Sequence, residues 1–148
     1  MSTISHQPVM IEVNTADLVG QALNYCVGAA EGHDVYVETV AEQMAQVSCE
    51  NFTEDEIERL WAIKKPKVRL NKFTPCPDYS SDWSHCGPLI HKHRIGFDDE
   101  NGVFLALIKD PSSSSTFSYG STHLIAACRV IVSAKFGASV SVPADLVL

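Results

Sequence analysis

Residues 120–137 read GSTHLIAACRVIVSAKFG, and this stretch decides what kind of fold the chain can have. Leu124, Ile125, Ala127, Cys128, Ile131 and Val132 recur at helical spacing and give an apolar face wide enough for a core element. Gly120 or Ser121 opens the helix and Gly137 stands at its C-cap position, so a core helix is predicted over Thr122–Phe136. Its other stripe holds Thr122, Ala126, Arg129 and Ser133. A lone arginine among small groups on a buried helix is either paired within the protein or a ligand for an anion.

The segments before this helix read mainly as strands. Val103–Ile108 is a buried strand, Asp98 to Gly102 a hairpin-type turn, and Arg94–Phe97 its partner strand. Pro111 to Ser118 is serine-rich, which predicts a mobile loop long enough to act as a flap. After the helix, Val140–Pro143 supplies a final short strand. Near the start, Val9–Val13 is a strand, with Asn14 or Thr15 able to cap a helix after it. Leu18, Val19, Ala22, Leu23, Cys26, Ala29 and Ala30 then predict a helix from Ala16 to about Glu31, stopped by Gly32. Its second stripe carries Gly20, Asn24 and Gly28, small residues that imply close approach of another helix or of a ligand.

Val35–Val40 is a strand by its β-branched and aromatic content. An acidic helical insert is expected at about 47–73, where Thr53-Glu54-Asp55-Glu56 has capping-box spacing and Pro66 ends the helix. Ile57, Leu60 and Trp61 form its apolar face, which reads as core or interface. These elements predict a single α+β domain over residues 1–148: a small, mostly antiparallel sheet packed against two main helices. Its length is sufficient to bury a core without disulfide or metal staples.

The formal charge is -7, which repels a phosphate backbone at long range and disfavours nucleic acid as a partner. The basic run Lys64, Lys65, Lys67, Arg69 and Lys72 reads as a solvated face. Five cysteines without a CxxC spacing read as reduced thiols, with Cys26 and Cys128 in the core. The N-terminus lacks a basic-then-apolar secretory pattern and no apolar run reaches the roughly 18 residues of a bilayer span, so no membrane partner and a cytoplasmic location are expected.

Chemistry-bearing residues concentrate in YSSDWSHCGPLIHKHR, residues 79–94. Ser81 or Asp82 can cap a short helix carrying Trp83, and Gly87-Pro88 predicts a break or a new helical start. His85, Cys86, His91 and His93 offer one HxH-like pair, with His91 and His93 on one face of an extended segment, but zinc needs two close pairs, so no metal and no cofactor is expected. There is no G-x-S-x-G elbow, no P-loop and no G-x-G-x-x-G, and adjacency of His85 and Cys86 in sequence does not give catalytic geometry. No catalytic residue is assigned.

Three blocks carry a resemblance: Leu23-Asn24-Tyr25-Cys26-Val27 with Glu31-Gly32; Tyr79 to Trp83 with Gly87-Pro88-Leu89-Ile90; and Gly120 to Arg129 continuing to Gly137. In this order they resemble the phage NinX-like proteins, a family named for the lambdoid nin region, over Ala16 to about Pro143. The chain departs from the family pattern at His123, where the family tends to have proline, at Asn24, where it tends to have aspartate, and in the insert. The resemblance implies a phage origin, a host-cytoplasm location and a gene that can be dispensable for replication.

A binding module demands less of the sequence than an enzyme does. Tyr79, Ser81, Trp83, His85, Thr122, Arg129 and Asn24 supply stacking surfaces, hydroxyls and a cation for a small anionic ligand. The expected function is sequestration of such a ligand without catalysis, a nucleotide immune signal of the host being one candidate, by a homo-oligomer. The alternative is an inhibitor that docks on a host protein through the acidic insert.

Overall fold

Extended and helical segments alternate along the chain, and each finds its partner at a different sequence distance. The computed structural model describes residues 8–45, 52–62, 65–109 and 115–147. In chain order the strands and α-helices are β1 (Met10–Asn14), α1 (Gly20–Ala30), β2 (Tyr36–Glu38), α2 (Val40–Ala45), α3 (Glu54–Ala62), β3 (Lys67–Asn71), β4 (Thr74–Pro75), α4 (Trp83–Lys92), β5 (Gly96–Glu100), β6 (Val103–Ile108), β7 (Thr116–Gly120), α5 (His123–Phe136) and β8 (Ser139–Pro143). Every pairing is antiparallel, but the strands form three small sheets, β1-β8, β2-β3-β4 and β5-β6-β7, where the sequence predicted one. The α+β class stands.

The predicted core helix is α5, with Thr122 as N-cap accepting from Ile125 N at 3.1 Å. One side lies on β6 and β7, and others meet α1, α4 and β8. Leu23, Cys26 and Val27 of α1, Cys86 of α4 and Cys128, Val130 and Val132 of α5 are buried together, so the core is the seam between these helices. Gly120 makes the closest approach: a Cβ there would stand 2.4 Å from Ala126 N.

Four segments differ from expectation for local reasons. The first helix does not start at Ala16: Thr15–Asp17 is a separate 3-10 turn, Leu18 and Val19 are extended, and Gly20 has φ +59°, so the helical hydrogen-bond ladder cannot run through. On the stripe of α1, Gly28 abuts Val35 and lies near Leu70 and Cys76, and Asn24 bonds to Asp78 and Ser80, so strand and loop approach it. The predicted strand over Val35–Val40 is cut to β2, because Val40 already begins α2. Gly87-Pro88 does not break α4, since a glycine before proline has no Cβ to clash with the proline ring. His91 therefore lies in helix and His93 at its C-cap, so the condition under which the two would share a face, an extended segment, is not met.

The hairpin turn is shorter than predicted. Asn101 (φ +52°) and Gly102 (φ +82°) make a two-residue loop, a dipeptide suited to two left-handed positions, and Asp98 to Glu100 are strand. Likewise Thr116–Ser118, read as loop, belong to β7, paired with β6. Residues 110–114 of that serine-rich stretch lie outside the described residues, as do 46–51 of the insert.

One ion cluster ties α1 to α4. Glu31 accepts from Lys92 Nζ at 2.7 Å and His93 Nε2 at 2.8 Å. Burial alone would raise its pKa, but the hydrogen bonds and charges of Lys92 and His93 outweigh it and hold the carboxyl below its ordinary value. A depressed carboxylate stabilises the fold above the unfolded value of about 4.3 and ceases to as pH falls through the folded one. Glu31→Gln should cost about 1–2 kcal/mol at pH 7 in urea denaturation. The gap to wild type should close below pH 4; an equal gap at both pH values would refute the pairing.

Candidate functional site

The N-terminal ends of α4 and α5 open into the same cleft. Asp82 caps α4, accepting from Ser84 N at 2.9 Å and Ser84 Oγ at 2.7 Å, and these bonds hold its carboxyl below the usual range. Capping puts Trp83 at the first helical position, 57 % exposed. Across the cleft, Ser121, Thr122 and His123 form the start of α5. Together with Ser80, Ser81, Phe104, Leu124 and Ile125 these residues line a cleft of about 400 Å³.

The lining is more apolar than polar, and one wall of it is aromatic. His123 stacks on Phe104 with centroids 3.9 Å apart and planes at 31°, meets Phe97 edge-on at 5.1 Å, and faces Trp83 at 6.2 Å. The first turns of both helices are capped from within, Ser84 N by the Asp82 carboxylate and Ile125 N by Thr122 Oγ, and the two ends meet here beside four hydroxyl residues.

Of the seven residues singled out from sequence, Ser81, Trp83 and Thr122 line the cleft. The other four stand elsewhere. Arg129 Nε donates to Leu18 O and its Nη1 to Tyr119 O, both at 2.9 Å, so the guanidinium joins the approach to α1 to the end of β7. Burial lowers its pKa, partly offset by Asp17. Asn24 is buried behind the cleft, its Nδ2 donating to Asp78 Oδ1 and its Oδ1 accepting from Ser80 N, both at 2.9 Å. Tyr79 is a core residue whose hydroxyl is pushed up to about 12 by burial and then by neighbouring charges. His85 is exposed on α4, with Nε2 3.6 Å from Asp82 Oδ2.

Sequence reasoning missed Ser80, Phe104, Ser121, His123, Leu124 and Ile125 as parts of this cleft. Phe104 looked like any apolar strand position, while His123 was visible as a polar ring directly after a helix cap. Below the cleft, Cys86 Sγ and Cys128 Sγ touch at 3.8 Å. The hydrogen bond to Cys86 and then burial push the Cys128 thiol up, and burial pushes Cys26 to about 12 and Cys76 to about 11. These three therefore stay protonated at neutral pH and are poor nucleophiles. Among the described residues no three His, Cys, Asp or Glu side chains converge on a metal position, and no helix is long and apolar enough to cross a membrane.

No match was found among the curated proteins. A family model described as bacteriophage P22 NinX matches residues 14–135, which include all three sequence blocks up to Lys135, both helix ends and the cleft between them. With most of its length covered by that match, the chain belongs to the phage P22 NinX family and is a phage accessory protein.

Proposed function

We propose that this phage protein binds a small anionic ligand in the cleft between α4 and α5 and sequesters it in the host cytoplasm without turnover. The observation that supports this reading is the convergence of two helix N-termini, with Ser80, Ser81, Ser121 and Thr122, on a cleft walled by Trp83 and His123. Backbone N–H groups at a helix end bind anions without a cationic side chain, which suits a site from which Arg129 is withheld; α5, capped by the neutral Thr122, is the end that can serve, since the Asp82 carboxylate already holds the α4 end. The exposed Trp83 and the His123–Phe104 stack offer faces to a planar ring. The volume is within the range of small-molecule sites, and a nucleotide immune signal of the host combines the ring and the charge such a cleft selects.

Native mass spectrometry of protein purified from host cells with active anti-phage defence, followed by denaturation and identification of any released molecule, tests this. The expected result is a nucleotide at fixed ratio to the chain. Trp83→Ala should reduce its retention roughly tenfold or more through lost stacking. A chain that emerges without cargo from such cells, and is unaffected by Trp83→Ala, would exclude sequestration.

A further inference from the structure

Far from the cleft in sequence, α3 carries apolar surface that the described residues leave uncovered: Ile57 and Trp61 are half-buried and Leu60 is exposed. None of its nine residues is buried. Its shape is held locally, by the reciprocal bonds Thr53 N to Glu56 Oε2 and Glu56 N to Thr53 Oγ1, both 3.2 Å. Ile57, Leu60 and Trp61 lie on one face at i, i+3 and i+4. Leu60 is 45 % exposed, and Phe52 just before the helix is 46 % exposed. Glu54 and Glu58 flank that face on one side and Glu56 on the other, with Arg59 as the one cation of the helix, so any surface that covers it must be basic as well as apolar.

The same chain presents such a surface. Lys67 and Arg69 lie on the outer face of β3, opposite the buried Val68, and Lys65 and Lys72 extend the charge to both ends. The turn to β4 is rigidly made: Arg69 donates to Asn71 O and Lys72 O, and Phe73 N donates to Asn71 Oδ1 at 2.8 Å. At its tip Phe73 is 85 % exposed, with Lys72 Nζ 5.8 Å from its ring centroid. An ordered turn that holds a phenylalanine in water beside cations matches an acidic helix with an exposed leucine in both charge and apolarity.

We infer that α3 of one copy docks on the β3–β4 turn of a second, with Phe73 set against the Leu60 side of the helix. A two-fold axis then repeats the contact, so acidic helix meets basic turn twice and the dimer closes. The partner is a second copy because the complementary charges are both on this chain. The cleft plays no part in this contact, so the dimer stands or falls separately from ligand binding.

The test is sedimentation equilibrium of the full chain at micromolar concentration, with E54K/E58K and K67E/K72E variants alone and mixed. Wild type should have twice the chain mass, and each variant alone should dissociate, its Kd raised roughly tenfold or more. Mixing the two variants pairs a basic helix with an acidic turn and an acidic helix with a basic turn, so the dimer should return. Recovery on mixing also shows that both variants are folded. A monomeric wild type, a dimer that survives either reversal, or a mixture that stays monomeric would each overturn the assignment, as would a basic host protein replacing the second copy at the acidic helix.

Discussion

Replacing Gly120 by alanine is expected to cost about 2–3 kcal/mol, one of the largest effects of any single methyl group in this protein. The added Cβ would meet Ala126 N at 2.4 Å, Ala126 Cα at 2.9 Å and Ile125 C at 3.0 Å. All three are backbone atoms of α5, so no side chain can rotate away. Relief requires β7 and α5 to separate, which moves Ser121 and Thr122 at the cleft. In a chain of this size the melting temperature should fall by about 5–10 °C. Gly96→Ala is the control, since nothing stands within 4 Å of its Cβ position, and it should be close to neutral. Equal melting temperatures for the two variants would show that β7 and α5 are not in this close contact.

Asn24→Leu should be as damaging, by a different route. Asn24 Oδ1 is the acceptor for the buried Ser80 N–H, and its Nδ2 supplies Asp78 Oδ1 with a donor. Leucine has similar volume but leaves the buried Ser80 N–H without its acceptor, at about 1–3 kcal/mol, while the exposed Asp78 keeps Ser80 Oγ as a donor. Ser80 also lines the cleft, so ligand retention should fall in the same variant. Asn24→Asp keeps an acceptor for Ser80 but sets two carboxylates against each other. One of them then titrates above its ordinary value, so that variant gains stability as pH falls and loses it as pH rises. Combining Asn24→Asp with Asp78→Asn exchanges donor and acceptor and should recover most of the loss. A double variant no better than Asn24→Asp alone would show that the bridge is not the cause.

The sequence makes α5 plain because its signals are local: a capping threonine, an apolar period and a terminal glycine all agree over Thr122–Gly137. The Asn101-Gly102 loop was visible for the same reason, although flanking acids drew the turn too wide. Where one residue overrides a pattern, pattern alone misleads. Gly20 splits a run of correctly spaced apolar residues, and Gly87 lets a helix through a proline that normally ends one. The division into three sheets depends on which strands meet, and periodicity carries no information about that.

Much the same applies to the cleft. Trp83, Ser81 and Thr122 were legible because helix starts expose polar and aromatic groups at predictable positions. Phe104 and His123 become neighbours only through the β6–α5 contact. Arg129 shows the limit of composition: a guanidinium on a buried helix fits an anion or two carbonyls equally well, and only coordinates reveal Leu18 O and Tyr119 O as its partners.

The β1-β8 sheet pairs Met10 with Pro143 and Asn14 with Ser139. On the ribosome, β1 leaves the exit tunnel long before its partner has been made. At roughly 5–20 residues per second, that wait is on the order of ten seconds. Through it, Ile11 and Val13, which pack on the core in the finished molecule, have no strand beside them. The first strand is thus the last to be secured, and the time the nascent chain spends with that strand open to chaperones and proteases ends with the arrival of β8.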